Sequence, residues 1–348
     1  MVKFSCIWAV VAVLAGAEDI TPRVGPIEIY GIHKLSATKI RAALGVKEGD
    51  SLPSRNDAEQ KLGQVSGVVA ASVEAICCDA GRTILYIGIE EKNAPHMEFH
   101  SMPTQDISLP AAIVDKYNAL LRATAESMRA GNADEDLTNG YSLMADPEAR
   151  ALQQGLLPLV DANLTGIDSV LRKSADPEQR AICAYVLQYG PRSERGANII
   201  SNGLQYALRD PDPDVRKSAM LALKAVMVGA KLHPEQQIRV EPTWFVELMN
   251  SIAWSDRRNA SLALVTMTDG YAPEILAVLR DRALRSVVGM ARWRHLEHAL
   301  PGFILAGRVA GLDEKEIQTA WLSGDREQVL TSRSLTRALQ LNRGSLSR

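Results

Sequence analysis

Two short histidine-containing segments bring this sequence nearest to a reaction centre. His96 to His100 (HMEFH) places three potential metal ligands on one side of an extended segment. Arg294 to His298 (RHLEH) places two histidines three residues apart, one residue short of the helical zinc-protease patterns. Arg292 and Arg294 would also repel a cation there. A polar linker and a charged helix face explain the two segments, so we predict no metal site.

Other motifs of catalysis are missing from the sequence. It contains no Gly-x-Ser-x-Gly, no glycine-rich phosphate loop and no Cys-x-x-Cys. We therefore predict a protein with no catalytic residues and no cofactor. The alternative is a small-ligand-binding protein or an enzyme with a pocket in the later helices, near Arg292, Trp293 and His295.

The N-terminus has the features of a secretory signal peptide. Lys3 precedes a short apolar run, Cys6 to Leu14, which is too short to span a bilayer. Ala15 to Ala17 (AGA) fits a cleavage site. Because Ala17 stands where a lipoprotein needs cysteine, we predict signal peptide 1–17, a periplasmic or otherwise extracytoplasmic location, and no lipid anchor. No later segment is predicted to cross a membrane.

Cysteine usage argues against a disulfide framework. Cleavage at residue 17 would leave three cysteines: Cys77, Cys78 and Cys183. Cys183 is predicted in a helix core as a small hydrophobe. The adjacent Cys77 and Cys78 are read either as two ordinary thiols or as a disulfide between neighbours.

Composition favours packed helices and excludes a large net charge. Of 348 residues, 46% are hydrophobic, and the net charge is −2. Such a chain has no overall field to attract nucleic acid, so no nucleic-acid partner is predicted. The tail carries four arginines after Glu327, which we interpret as a solvated or capping terminal helix. They are Arg333, Arg337, Arg343 and Arg348.

Residues 24–92 predict a small α+β domain in the order β-α-α-β-β. Alternating apolar residues mark the strands, and Ser36 can cap the first helix, which ends before Gly45. This stretch resembles a POTRA domain, the transport-associated module of bacterial envelope proteins. The resemblance rests on the strand ending at Gly31, on Lys47 to Asp50 (KEGD), and on the closing strand that ends in Glu90-Glu91.

The resemblance to POTRA domains implies a module that binds proteins. An open sheet edge accepts an extended segment as an added strand. We predict Ser72, Glu74 and Tyr86 as the partner-binding edge. Residues 93–110 are predicted to be a linker, and residues 111–348 an α-helical domain.

A repeated helix start organises the second domain. Three copies share aspartate, proline and a later arginine: Asp146, Pro147 and Arg150; Asp176, Pro177 and Arg180; Asp212, Pro213 and Arg216. The arginines are 30 and 36 residues apart, and a degenerate fourth copy ends at Arg258. Aspartate can cap each helix, proline suits its first turn, and arginine can pair with aspartate of the neighbouring repeat.

These repeats resemble HEAT repeats over about residues 141–330. The resemblance implies an α-helical solenoid, so the chain as a whole is predicted to be mostly α-helical. The predicted signal peptide indicates an exported bacterial envelope protein, and two modules that offer binding surface without a visible reaction centre suggest an interaction role. We predict a non-enzymatic scaffold or assembly factor that binds a protein partner in the cell envelope.

Overall fold

The structure, a computed structural model, describes residues 22–236 and 238–345. It is mostly helical, with a small three-stranded sheet near the N-terminus, as the sequence predicts. The predicted signal peptide lies outside the described residues. Among the described helices, none combines the length and apolar character needed to span a bilayer.

The N-terminal region contains three strands and two helices. In chain order they are β1 (Val24–Tyr30), α1 (Ala37–Leu44), α2 (Arg55–Gly63), β2 (Val68–Asp79) and β3 (Arg82–Glu91). The strand order is β1-β3-β2, with β3 parallel to β1 and antiparallel to β2. The Ser36 side chain caps α1 by accepting from the backbone of Lys39, and Gly45 ends α1 with a φ of 68°.

Both faces of this sheet are buried, and strand periodicity assigns each residue of β3 to one face. Leu85, Ile87 and Ile89 pack with α1 and α2 in one apolar cluster. Ile84 and Tyr86 alternate with them and join the larger core of the helices that follow. The sheet is therefore a layer between its own helices and the helical region.

The rest of the chain is an array of helices with two short strands. The elements are α3 (Ala111–Arg129), β4 (Glu135–Asp136), β5 (Leu143–Met144), α4 (Pro147–Lys173), α5 (Pro177–Val186), α6 (Glu194–Ala207), α7 (Pro213–Leu232), α8 (Thr243–Leu248), α9 (Trp254–Met267), α10 (Pro273–Arg282), α11 (Leu284–Ala291), α12 (Leu296–Ala310), α13 (Glu314–Leu322), α14 (Arg326–Leu330) and α15 (Arg333–Ser345). Helices α3, α4, α5, α7, α9 and α12 contact one another in that order.

The three predicted repeat starts begin α4, α5 and α7. In each helix the aspartate is the N-cap, its side chain accepts from a backbone N–H of the first turn, and proline follows. The arginine four residues after the cap reaches back to the loop before its own helix. It donates to the carbonyl six residues earlier, as Arg150 does to Met144 and Arg180 does to Ser174.

The fourth repeat start lies one residue earlier than predicted. Arg257, not Arg258, is four residues after the N-cap Ala253, and its Nε donates to the carbonyl of Ser251. Arg258 instead places its guanidinium 5.8 Å from the Trp254 ring. The fourth repeat start was misassigned by one residue because Trp254, rather than proline, occupies the first position of α9.

Buried ion pairs join successive repeats. Arg180 donates to Asp210 at 2.8 and 2.9 Å, and both side chains are at most 1% exposed. Arg216 makes the equivalent pair with Asp256, which lies in α9. Each pair fixes one helix start against the next repeat, since a buried guanidinium needs a carboxylate and further acceptors.

Residues 93–110 form an extended segment that packs along the loops between repeats. The backbone of His100 donates to the carbonyl of Arg209 at 2.7 Å. The backbone of Gln105 donates to Lys173, the last residue of α4, and accepts from Ala175 in the loop that follows. The ring of Phe99 lies 4.2 Å from the guanidinium of Arg216. This segment has little regular structure, and these contacts hold it against the helical array.

Candidate binding groove

A groove separates β2 from the starts of α7 and α9. Its volume is about 750 Å³, within the range of ligand-binding clefts. Strand β2 and α2 form one wall, and the residues around Pro213 and Trp254 form the other. Phe99, from the extended segment, also lines it. The groove thus brings together all three parts of the chain that the sequence analysis distinguished.

The outer edge of β2 forms part of this wall. Within the described residues, β2 pairs with β3 on one side and with no strand on the other. The N–H of Val73 points to the outer side, where it donates to Oε1 of Glu59 at 2.9 Å. Because backbone groups alternate along a strand, Ala71 and Ala75 also direct their N–H and C=O groups outward. The edge therefore offers donors and acceptors to an added strand.

Glu59 partly covers that edge. Besides accepting from Val73, its Oε1 accepts from Nε of Arg55 at 2.8 Å, one helical turn earlier in α2. The Glu59 side chain is about one-quarter exposed, so water and solutes reach it. A strand that adds to β2 would have to displace this carboxylate.

Glu74 belongs to the contact between the sheet and the array. Its Oε1 accepts from the backbone N–H of Trp254 at 2.6 Å, at the first residue of α9. Burial raises the pKa of Glu74, and hydrogen bonds from the start of α9 oppose that rise. The carboxylate therefore acts as a cap supplied by another part of the chain. It is committed to that helix rather than available to a partner.

Tyr86 was predicted at the sheet edge, and that prediction is wrong. It lies in the central strand β3 and is fully buried. Its ring is 5.2 Å from that of Trp254 and 4.9 Å from that of Trp293, and its hydroxyl is 2.6 Å from Nδ1 of His298. The error arose because tyrosine, with an apolar ring and a polar hydroxyl, occurs on solvent-exposed faces of sheets as well as on buried ones.

Ser72 lies on β2, but its side chain is not available at the edge. It pairs with Gly88 of β3 and is 7% exposed, on the face that the helical array covers. Of the three predicted edge residues, only Ser72 and Glu74 are thus on an edge strand. It is the backbone of β2, rather than these side chains, that lies open.

The contact between sheet and array contains a close backbone approach that the sequence analysis missed. A Cβ atom on Gly88 would lie 1.9 Å from the carbonyl oxygen of Ile252. The same carbonyl accepts from the Tyr30 hydroxyl at 2.8 Å. A glycine inside a strand often marks such an approach, so the available signal was Gly88 itself.

His298 lies beside the groove in an apolar setting. It is 7% exposed, and burial, with smaller contributions from His295 and Arg258, lowers its pKa to about 4. The His295 and His298 rings are 4.1 Å apart, and Nδ1 of His295 is buried with no hydrogen-bond partner among the described residues. The His298 ring belongs to the aromatic contact around Tyr86, and the His295 ring packs against that of His298.

The other candidate metal ligands have separate environments. His96 Nδ1 lies 3.1 Å from the carbonyl of Ala94, and His100 stacks on Tyr206 at 4.1 Å between ring centres. In the described parts of the chain, no three His, Cys, Asp or Glu side chains are grouped to hold a metal ion.

The three residues of the predicted alternative pocket lie in different environments. Arg292 forms an exposed ion pair with Glu327 at 2.9 Å. Trp293, in contrast, is 2% exposed and packs against the rings of Tyr30 and Tyr86. Arg292 and Trp293 therefore do not contribute to one ligand site with His295, and the structure gives this alternative no geometric support.

Cys77 and Cys78 form a disulfide between adjacent residues at the end of β2. Cys77 lines the groove, and both residues are exposed. Of the two states left open by the sequence, the structure has the bonded one. Cys183, in contrast, is a buried free thiol in α5, as predicted.

Comparison with known proteins adds no assignment: no family model matches the chain, and no curated protein matches its sequence.

Proposed function

We propose that this chain is an exported bacterial envelope protein that acts as a non-enzymatic scaffold or assembly factor. In this proposal residues 24–92 are a POTRA-like module and residues 141–330 a HEAT-like solenoid, in the periplasm or another extracytoplasmic compartment. The partner is a protein of the envelope. An extended segment of that partner adds to the outer edge of β2 and lies in the groove.

The observation that carries the proposal is the outward-facing backbone of β2 beside a groove. Main-chain hydrogen bonds provide affinity in strand addition, and side-chain contacts with the surrounding walls provide selectivity. Here the second wall is already in place, because Glu74 fixes the start of α9 against the sheet. The two modules thus form one recognition surface in this proposal.

A proline at the edge gives a direct test. Ala75 is exposed and its N–H faces outward, so Ala75→Pro removes an edge donor without removing a hydrogen bond to β3. Ala75→Thr is the matched control, since it keeps the N–H and suits a strand. We would place a photocrosslinking amino acid at Val69, which is 59% exposed near the start of β2, in bacterial cells that express the full chain.

We expect one envelope protein to crosslink from Val69 in the wild-type and Ala75→Thr backgrounds, and not in the Ala75→Pro background. A second probe at Leu322, which is 75% exposed on α13, reports nonspecific capture. Equal capture from Leu322, or capture that Ala75→Pro leaves unchanged, would contradict the proposal.

A further inference from the structure

The side chains of the groove include two cations at equivalent repeat positions. Lys217 follows the repeat arginine Arg216, and Arg258 follows the repeat arginine Arg257. They therefore lie at the same level on the contacting helices α7 and α9, whose axes should be about 8–10 Å apart. Both residues line the groove beside β2.

These two cations have no carboxylate partner within the part of the chain that the structure describes. The nearby acids are largely committed elsewhere: Glu59 to Arg55 and the edge N–H of Val73, and Glu74 to the start of α9. Asp214 is the remaining groove acid, in the first turn of α7. The wall opposite β2 thus presents a local excess of positive charge.

We propose that the groove selects an extended protein segment with two acidic side chains separated by one residue. This inference rests on the proposed strand addition to β2. Residues i and i+2 of a strand point to the same side and lie about 7 Å apart. On the side facing the array, two such carboxylates reach Lys217 and Arg258, whose long side chains span the remaining distance. The alternate residues face α2.

Two features of the groove favour this occupant over a basic or neutral segment. A lysine segment would meet the like charges of Lys217 and Arg258 on the wall that the helical array forms, and like charges disfavour the wrong partner. The covered edge also shows that a carboxylate is accommodated beside β2, since Glu59 occupies that position in the free chain. An incoming acidic segment would thus replace the carboxylate of Glu59 with carboxylates of its own.

The test is a fluorescence-anisotropy titration of the full chain with three capped, labelled peptides. The acidic probe is Thr-Val-Glu-Val-Glu-Val-Thr, and the matched probes carry glutamine or lysine in place of both glutamates. We expect the acidic probe to bind about tenfold more tightly than the glutamine probe, since two partly exposed charge pairs contribute that much together. The lysine probe should bind more weakly than either.

Variants of the chain separate this inference from the proposed function. In Lys217→Gln/Arg258→Gln, the acidic and glutamine probes should bind equally. In Ala75→Pro, all three probes should lose binding. If Ala75→Pro abolishes binding but charge has no effect, the edge is correct and the acidic preference is wrong. If the acidic probe binds regardless of Ala75→Pro, strand addition is wrong, and absence of binding by every probe overturns both.

Discussion

The guanidinium carbon of Arg257 lies 4.4 Å from the centre of the Tyr30 ring, across the contact between array and sheet. In the two preceding repeats the equivalent arginine meets a carboxylate, Asp210 or Asp256. Burial lowers the pKa of Arg257 to about 10, so it is still charged at neutral pH. The face of an aromatic ring from β1 thus takes the place of the next repeat's carboxylate.

Replacement of Gly88 should separate the sheet from the array. In Gly88→Val, the new Cβ overlaps the carbonyl of Ile252, and neither backbone can move without breaking strand or helix contacts. We expect a loss of about 3 kcal/mol or more in the free energy of unfolding. Urea denaturation measures it, and limited proteolysis of residues 93–110 reports separation.

The control for this variant is Gly63→Ala at the end of α2, where an added Cβ meets no atom within 4 Å. It should unfold at an equal or slightly higher urea concentration. Equal stability of Gly88→Val and Gly63→Ala would show that the close approach to Ile252 is not a constraint.

The buried ion pair between Arg216 and Asp256 should contribute strongly to stability. Arg216→Met leaves Asp256 fully buried with only the Ser251 hydroxyl as a side-chain donor. We expect about 3–5 kcal/mol of destabilisation in urea denaturation.

The exposed pair of Arg282 and Glu247 is the comparison. The Arg282 side chain is 56% exposed, so Arg282→Met should cost less than about 1 kcal/mol. Similar losses from the two methionine variants would mean that burial is not what makes the repeat pair important.

Stability should fall in mild acid because of His298. Its pKa is lowered from 6.5 to about 4 in the folded chain, so folding favours the neutral ring. The associated stabilisation is complete above about pH 6.5, and is lost as the pH falls from there towards 4. The loss is on the order of 3 kcal/mol at most. The titratable and charged groups that face the ring are Tyr86, His295 and Arg258, and the Trp254 ring also packs against it.

Urea denaturation of wild-type and His298→Gln chains between pH 4 and 8 isolates this contribution. The neutral amide still offers a polar partner to Tyr86 but takes up no proton. The stability difference between the chains should shrink as the pH falls from 6.5 to 4. A difference that stays constant over this range would assign the acid sensitivity to other groups.

Removal of Glu59 should open the edge of β2. Glu59→Ala frees the N–H of Val73, so an added strand no longer has to displace a carboxylate. We expect the acidic and glutamine probes to bind about two- to fivefold more tightly in anisotropy titrations. Asp57→Ala removes the same charge from the exposed side of α2 and should leave both affinities unchanged. Unchanged or weaker binding by Glu59→Ala would show that Glu59 does not cover the site.

Local patterns predicted the elements well, because caps and periodicity act within a few residues. Asp146, Asp176 and Asp212 begin helices as expected, and the alternation in β3 separates its two faces correctly. What covers the second face of the sheet depends on residues more than 160 positions later. Tyr86 was therefore assigned to an edge, since no residue near it in the sequence indicates that Trp254 and His298 will pack against it.

The groove was beyond local prediction for the same reason. Its walls come from α2, β2, the extended segment and two helix starts, which only the fold brings together. The repeat pattern did place Arg216 at such a start, but the absence of proline at the first position of α9 shifted the predicted fourth copy to Arg258.

The contact between sheet and array also means that the sheet is synthesised well before the residues that cover it. The ribosome completes the sheet at Glu91, but the residues that cover its second face, among them Trp254, Trp293 and His298, emerge after at least 160 more have been joined. Until then the side of the sheet that carries Tyr30 and Tyr86 is open to water and to other chains. The aromatic side of the nascent sheet therefore stays uncovered until these later residues have been synthesised, and a chain truncated before α9 would leave it uncovered.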